Sequence, residues 1–379
     1  MNEVPVSFPR TIHKNTYAGA TTVRLCSPSH TELFLTSAPV GGERPEQVLA
    51  RAAELVRESR CDIVAQDVLG LRNRNGSSTR MLADAFGDVS WPVTWIEPKE
   101  DERQGLFGTQ IWGVSGVPLK RLLLSGNAVG SVFESDAARY LRLGGIVPRT
   151  ASAPREEQAR DVFEQMDAHL RAAGMTFRDI SRTWFFADDI LSWYDDFNRV
   201  RTAFLRERSV LNGLMPASTG IGASNASGTA LVAGGLAVRA RHPEAGCVAA
   251  PSPMQCSASS YGSSFSRAVE LFEPGLRRLL VSGTASIDPE GRTAHLEDVK
   301  SQVALTMDVV HAILQSRAMD WENATRAVAY FKYSRDVSAF LAYREEKGLA
   351  ALPVLSVCAE VCRDELLFEI EVDALKAGH

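Results

Sequence analysis

The amino-acid sequence predicts an α+β protein made of three consecutive modules, each a mixed sheet with helices packed on one face. The first observation is an order of elements (strand, helix, strand, helix, strand) that recurs along 379 residues, a length that suits two or three domain-sized units. The second is an internal repeat, because residues 173–182 align without a gap on residues 317–326 and each stretch follows a long amphipathic helix. Three such sheets can close into a three-fold arrangement, with clefts where neighbouring modules meet.

The first third of the chain follows this order least regularly. Residues 1–30 are poor in hydrophobic periodicity and rich in turn formers, so we predict an N-terminal arm there. A first, divergent module is predicted over residues 31–130, and the charged run at residues 99–103 is predicted to be a solvated turn. The predicted elements of this module are a strand at 33–37, a helix at 45–59 and strands at 61–70 and 106–115.

The second and third modules are predicted over residues 131–245 and 246–379. Their helices carry apolar side chains at helical spacing, such as Val299, Val303 and Met307. Predicted strands lie at 139–145, 180–187, 229–239, 278–283 and 324–332, with a closing strand within 365–373, and predicted helices lie at 155–173, 193–206, 298–316 and 337–347. The glycine-rich residues 219–228 lack the strand before and the helix after that a dinucleotide-binding turn requires, so we predict a loop there.

Charge and composition exclude several classes of partner. A net charge of −5 gives no electrostatic reason to expect binding to nucleic acid or to an anionic membrane. No apolar run approaches the roughly 18 residues of a membrane-spanning helix, and the first residues lack the basic and apolar regions of a secretion signal. The six cysteines form no C-x-x-C pair and the seven histidines no H-E-x-x-H motif. We therefore expect a cytoplasmic protein without metal, cofactor or disulfide framework.

The closing strand of the third module carries an unusual row of acidic side chains. Apolar and acidic residues alternate there with the two-residue period that places side chains on opposite faces of a sheet. The apolar set is Phe368, Ile370 and Val372, and the acidic set is Glu369, Glu371 and Asp373. The acidic face is either solvated, as acidic residues usually are, or it places Glu369 in a cleft as an acid or base with a raised pKa. The closing strands of the other modules, at 107–112 and 231–238, carry no carboxylate, which favours the second interpretation.

Three segments of the third module resemble known proteins. The segments 259–268, 281–285 and 368–371 resemble the YjgF/RidA family (chorismate mutase-like fold), whose small subunits form trimers with ligand sites between subunits. From about residue 20 to about residue 375, the chain is similar to the chorismatases, which fuse this fold in one chain and cleave chorismate. The segments 261–267 and 362–371 carry this second resemblance. It implies three fused YjgF/RidA-like modules in a pseudo-trimer, monomeric in solution, with a small molecule as the partner.

The resemblance also implies the residues of a chorismate site. The substrate carries two carboxylates and an enol ether, so its site needs cationic or hydroxyl donors and one proton donor. Glu369 and Cys362 are implied as catalytic residues. The implied substrate-binding residues are Tyr261, Ser264, Phe265, Arg267, Gly283, Ala285 and Glu371.

Several of these residues also have a structural interpretation. Arg267 can form a surface salt bridge instead of a two-pronged pair with a substrate carboxylate. Ser264 can satisfy the backbone of its loop, and Phe265 can be an ordinary core residue. Gly283 can simply make a turn. Cys362 can be a small buried hydrophobe, as free cysteine most often is.

The implied function is cleavage of chorismate to 3-hydroxybenzoate and pyruvate, with Glu369 protonating the enol ether. The resemblance implies that a cysteine at the Cys362 position, on the strand before the glutamate, marks the branch that forms 3-hydroxybenzoate. Alternative products are 3,4-dihydroxycyclohexa-1,5-diene carboxylate, formed by hydrolysis, and 4-hydroxybenzoate. Alternatives of another class are a RidA-type imine deaminase and a non-catalytic binder of small aromatic acids. Against the deaminase, Val354 follows Pro353 where that activity uses an arginine.

Overall fold

Three six-stranded mixed sheets of the same topology confirm the predicted α+β fold with three modules. The computed structural model describes residues 10–72, 76–98 and 106–378, but not the side chains of Ser259 and Tyr261. In each sheet the first three strands of the module are antiparallel neighbours, and the fourth and fifth run parallel at the far edge. The sixth strand lies in the middle, antiparallel to the third and the fourth. The closing strand of every module is therefore central and covered on both edges.

The first module begins with a hairpin, so the prediction of an arm over residues 1–30 is wrong for β1 and β2. Its elements are β1 (Thr11–Tyr17), β2 (Ala20–Cys26), β3 (Thr31–Ser37), α1 (Pro45–Ser59), β4 (Asp62–Leu69), α2 (Ser77–Phe86), β5 (Val93–Ile96) and β6 (Gly108–Ser115). Arg10, just before β1, donates to Glu273 of the third module in a buried ion pair. This contact connects the N-terminal strand to the rest of the molecule. The charged run at 99–103 lies outside the described residues.

The second module starts at β7, ahead of the predicted boundary at residue 131. Its elements are β7 (Lys120–Leu124), β8 (Asn127–Glu134), β9 (Ala138–Ile146), α3 (Arg155–Ala172), β10 (Ile180–Ala187), α4 (Tyr194–Glu207), β11 (Ala217–Gly222) and β12 (Leu231–Ala240). The prediction of a loop over residues 219–228 is wrong for its first part, because β11 pairs in parallel with β10. This edge strand reaches the third module, where it contacts β15.

The third module has the same sequence of elements and ends on the acidic strand. They are β13 (Gly246–Ala250), β14 (Ala268–Glu273), β15 (Leu276–Ala285), α5 (Val299–Ser316), β16 (Ala324–Phe331), α6 (Val337–Glu346), β17 (Val354–Cys358) and β18 (Phe368–Ala377). Asp298 caps α5 by accepting a hydrogen bond from the Ser301 N–H, at 3.1 Å.

The internal repeat has a local physical basis. In both copies a single 3₁₀ turn precedes the fourth strand, and a capping box closes it. The Asp179 carboxylate accepts from the Thr176 N–H at 2.7 Å, and the Asn323 side chain accepts from the Asp320 N–H at 2.8 Å. These residues occupy matching positions in the two aligned segments, so the repeat preserves the start of the fourth strand.

Each sheet uses its two faces differently. One face packs on the helices of its own module, through side chains such as Phe163 of α3 and Met307 of α5. The opposite faces of the three sheets meet in a central core that includes Val64, Tyr140 and Val328, one from each module. Side chains of a closing strand therefore point alternately to the helices and to the neighbouring modules.

Candidate active site

The acidic row of β18 points away from the helices, toward the other modules. Phe368, Ile370 and Val372 are fully buried against α5 and its neighbours, worth about 1.5–3 kcal/mol each for the burial of such side chains. On the other face Glu369 is 4% exposed and Glu371 is fully buried. The interpretation of this face as solvated is therefore wrong for both glutamates.

A cavity of about 200 Å³ lies between the second and third modules and contains Glu369 in its wall. The second module contributes side chains of α4 and β11. The third contributes the residues before β14, the end of β15 and the loop between β17 and β18. The main lining residues are Tyr194, Asp195, Asn198, Arg201, Ser263, Phe265, Arg267, Gly283, Ala285, Cys362, Arg363 and Glu369.

Glu369 is held in its protonated form at neutral pH. Burial, and secondarily the negative charge of Glu371, raise the pKa of its carboxyl group to about 8. The positive charges of Arg182 and Arg267 act in the opposite direction but do not outweigh these effects. A carboxylic acid that keeps its proton at pH 7 and faces a cavity is equipped to act as a general acid.

Gly283 provides the space that the Glu369 carboxyl group occupies. A Cβ atom at position 283 would overlap Glu369 Oε1, and the Thr219 methyl group lies on the same side. The Gly283 N–H donates to Thr219 Oγ1 at 3.1 Å, which connects β15 to β11 of the second module. Ala285 pairs with Glu369 across β15 and β18 and also lines the cavity. The small residues Gly283 and Ala285 at the end of β15 therefore leave room for the Glu369 carboxyl group to lie close to this strand.

Two arginines flank the Phe265 ring in the cavity wall. The guanidinium carbon of Arg267 lies 5.7 Å from the ring centroid and that of Arg201 lies 5.8 Å from it. Both arginines are at least nine-tenths buried, and Arg267 Nε donates to the Cys256 carbonyl at 3.0 Å. The salt-bridge interpretation of Arg267 as a surface residue is therefore wrong. Two buried cations beside an aromatic face suit an anionic ring compound.

Glu371 does not line the cavity but sits in a buried ion-pair network. Its carboxylate accepts from Arg182 of β10 and Arg326 of β16, each at 2.8 Å, and from Trp184 Nε1 at 3.0 Å and the Thr219 hydroxyl. Burial acts to raise its pKa, but Arg326 and Arg182 outweigh burial and hold the pKa below the ordinary value. Direct substrate binding by Glu371 does not fit this position.

The remaining predicted residues have different outcomes. Ser264 does not line the cavity: its hydroxyl is 2.8 Å from that of Thr202, and Ser263 lines the cavity instead. The side chain of Tyr261 lies outside the described part of the chain.

Cys362 lines the cavity as a neutral thiol. It lies in the loop between β17 and β18, not on a strand as predicted. Burial and the neighbouring Glu369 raise its pKa to about 12, although Arg363 and a hydrogen bond with Tyr194 oppose the shift. A thiol with this pKa is not a nucleophile at neutral pH, so Cys362 contributes volume and polarity to the wall.

Sequence analysis missed the contribution of α4. Tyr194, Asn198 and Arg201 recur at the spacing of one helical face and line the cavity. A signal was present, because Arg201 shares an apolar stripe with Phe197 and Phe204, where a buried charge is unexpected. Which cleft this face borders depends on contacts between modules, which one sequence does not reveal.

The other two modules lack the acid at the equivalent position. Each sheet has a register shift near the start of its fourth strand, and this shared feature identifies equivalent positions in the three modules. The residue just after the shift is Ala65 in the first module, Arg182 in the second and Arg326 in the third. Four residues further along the fourth strand, the residue that pairs with it from the closing strand is Gly108 in the first module, Val232 in the second and Glu369 in the third. A Cβ atom at Gly108 would lie 2.6 Å from a methyl carbon of Leu355, so a side chain of the third module fills that position. Val232 is buried in the central core. Of the three equivalent positions, only the one in the third module carries an ionisable side chain.

Comparison with known proteins bears on the fold. No protein-family profile and no curated protein matches the chain. A chorismatase crystal structure at 1.08 Å resolution is similar with a TM-score of 0.60 and 20% identity, over 82% of this chain and 92% of that one. A putative endoribonuclease L-PSP from Entamoeba histolytica (18% identity, TM-score 0.30) matches 34% of this chain and 98% of its own. A YjgF-family protein from Neisseria meningitidis (21% identity, TM-score 0.25) matches 30% and 89%. The first similarity shows that this chain has the fold of a chorismatase.

No group of three or more His, Cys, Asp or Glu side chains in the described part of the chain is arranged to hold a metal ion. None of the helices in residues 10–72, 76–98 and 106–378 has the length and apolar composition needed to cross a bilayer.

Proposed function

We propose that this protein is a chorismatase that converts chorismate to 3-hydroxybenzoate and pyruvate. The observation that carries the proposal is a protonated, buried carboxyl group, Glu369, facing a cavity that also holds two buried arginines. Chorismate has the matching groups: an enol ether that is protonated on carbon, a ring, and two carboxylates. The similarity of the fold to that of a chorismatase supports this proposal.

Substrate binding would use the arginines and the aromatic wall. Arg201 and Arg267 approach Phe265 from the cavity lining, so a ring stacked near Phe265 can present carboxylates to either guanidinium. Because both guanidinium groups are already removed from water, their electrostatic attraction for a bound anion is stronger than it would be at the protein surface. The burial of these groups thus favours a dianionic substrate over a neutral one.

The proposed reaction begins with proton transfer from Glu369 to the terminal methylene carbon of the enolpyruvyl group. A C–H bond forms from the π electrons, and the side chain becomes an oxocarbenium-like group that leaves as pyruvate when the ring C–O bond breaks. The neighbouring ring hydroxyl oxygen bonds to the ring carbon, and its proton returns the carboxylate of Glu369 to the acid form. The original bond between this oxygen and its own ring carbon then breaks, with the electron pair staying on oxygen. The ring carbon that now carries the oxygen loses its proton to make the ring aromatic, and protonation of the oxygen gives the phenol. The two products together contain the atoms of chorismate, so no water is consumed.

Pyruvate formation tests this proposal directly. The purified protein should release one pyruvate per chorismate consumed, measured with a lactate dehydrogenase coupled assay, together with an aromatic product identified by chromatography. A 2-aminoacrylate-type imine in a parallel assay separates this activity from imine deamination. Tight binding of chorismate without pyruvate release would contradict the proposal and identify a binding protein. Because the single chain supplies all three modules, we propose that the active form is a monomer.

Changing Cys362 to alanine is expected to change the product ratio. Its side chain lines the cavity beside Glu369, so a smaller residue leaves room for a water molecule near the oxocarbenium-like group. Water would then compete with the ring hydroxyl, and the fraction of 3,4-dihydroxycyclohexa-1,5-diene carboxylate should rise at the expense of 3-hydroxybenzoate. Product chromatography of both proteins measures this ratio.

Cys61→Ala is the matched control, since Cys61 is a buried free cysteine of the first module. It should leave the ratio unchanged. Identical ratios for the wild type and Cys362→Ala would remove Cys362 from the determination of product.

A further inference from the structure

We infer that Glu371 is a positioning residue whose ionised carboxylate adds to the effect of burial in keeping the proton on Glu369, and this inference rests on the proposed acid role of Glu369. The two glutamates are two residues apart on β18 and share one face, so their Cα atoms are separated by about two strand rises, or roughly 6.6 Å. Both are buried, and neighbouring charges interact much more strongly in a protein interior than in water.

The partners of Glu371 fix its charge. Arg182, Arg326 and Trp184 donate to its two oxygens, and the Thr219 hydroxyl donates to one of them. The Thr219 oxygen in turn accepts from Arg182 at 2.8 Å and from the Gly283 N–H at 3.1 Å. Because its hydroxyl hydrogen is donated to Glu371, Thr219 has no donor left for Glu369, and its methyl group lies on the same side of Gly283 as the Glu369 carboxyl group. The Thr219 side chain therefore donates a hydrogen bond to Glu371 and has none to donate to Glu369.

Other charged or titratable groups also face Glu369. They come from β16, β10, the segment before β14, the loop after β17, and α4. These groups are Tyr330, Arg182, Arg267, Cys362, Arg363, Tyr194, Asp195 and Arg201. Three of the arginines line the same cavity and would favour an ionised Glu369, as does Arg182. Glu371 is the carboxylate positioned to counter them from the buried side.

Titration of the Glu369 carboxyl group in Glu371→Gln tests the inference without any substrate. Glutamine removes the negative charge and leaves Arg182 and Arg326 uncompensated, and both changes weaken proton binding at Glu369. In protein labelled with ¹³C at the glutamate side-chain carboxyl, we expect the midpoint near 8 in the wild type to fall by at least about one pH unit. The matched control is Asp373→Asn, the next acid on the same face, which pairs with Arg326 but is further from Glu369. It should leave the midpoint unchanged, whereas a general disturbance of β18 would affect both variants.

Glu369→Gln provides a second test that does not require Glu371→Gln to fold. In this near-isosteric variant the buried titration near 8 should disappear, because Glu371 stays ionised across this range. A titration near 8 that persists in Glu369→Gln would show that Glu371 holds the proton and would overturn the inference. An unshifted midpoint in folded Glu371→Gln would overturn it as well. Failure to cleave chorismate would contradict the proposed function alone, since neither titration depends on turnover.

Discussion

Glu369→Gln is expected to release pyruvate from chorismate about 10²–10⁴-fold more slowly than the wild type. Glutamine keeps the size of the side chain but has no proton acidic enough to protonate an enol ether carbon. Since the carboxyl pKa is raised to about 8, the wild-type acid is mostly protonated at pH 7 and becomes ionised as pH rises through 8. The wild-type rate should therefore be highest below pH 8 and fall above it.

Initial rates of both proteins across pH 6–10 measure this prediction. Glu365→Gln is the matched control, because Glu365 is an exposed glutamate in the loop just before β18. It should retain the wild-type rate and pH dependence. An undiminished rate in Glu369→Gln would end the assignment of Glu369 as the acid, whatever product is formed.

Arg182→Met is expected to lower the free energy of unfolding by about 3–5 kcal/mol, the cost of breaking a buried ion pair by removing one partner. Arg182 is fully buried and connects β10 of the second module to Glu371 of the third. Methionine fills much of the volume but leaves Glu371 with one cation fewer and Thr219 with one donor fewer.

Chemical denaturation followed by tryptophan fluorescence measures this loss. Arg199→Met is the control, since Arg199 pairs with Glu156 and Asp196 on the surface. Its stability should match that of the wild type, because exposed ion pairs contribute little. A wild-type unfolding midpoint for Arg182→Met would show that the buried network does not stabilise the contact between the modules.

The parts of the fold that the sequence predicts best are those set by local periodicity. The alternation along β18 and the helical spacing in α5 depend on neighbouring residues only, and both are present in the structure. The hairpin of β7 and β8 was missed, although Ser125 and Gly126 form the two-residue turn with positive φ that such hairpins favour. Short, partly polar edge strands carry too weak a pattern to stand out alone.

The site was predictable only on the third module's side. Glu369, Arg267 and Phe265 belong to segments that carry a recognisable resemblance, and they line one cavity. Tyr194 and Arg201 lie on α4 of the second module, and their contribution depends on how two modules pack. The network around Glu371 was missed for the same reason, because Arg182 is 189 residues away along the chain.

The presence of Gly108 and Val232 at the positions equivalent to Glu369 makes the three modules unequal. In a ring of identical subunits, any acid placed in one cleft appears in all of them, and each copy incurs the desolvation of a buried ionisable group. Covalent fusion removes this constraint. The third module holds the acid, the second holds the helix with the arginine, and Leu355 occupies the space at Gly108. Under the proposed function, this division of roles among the linked modules gives one substrate site per chain and leaves the other interfaces to hold the modules together.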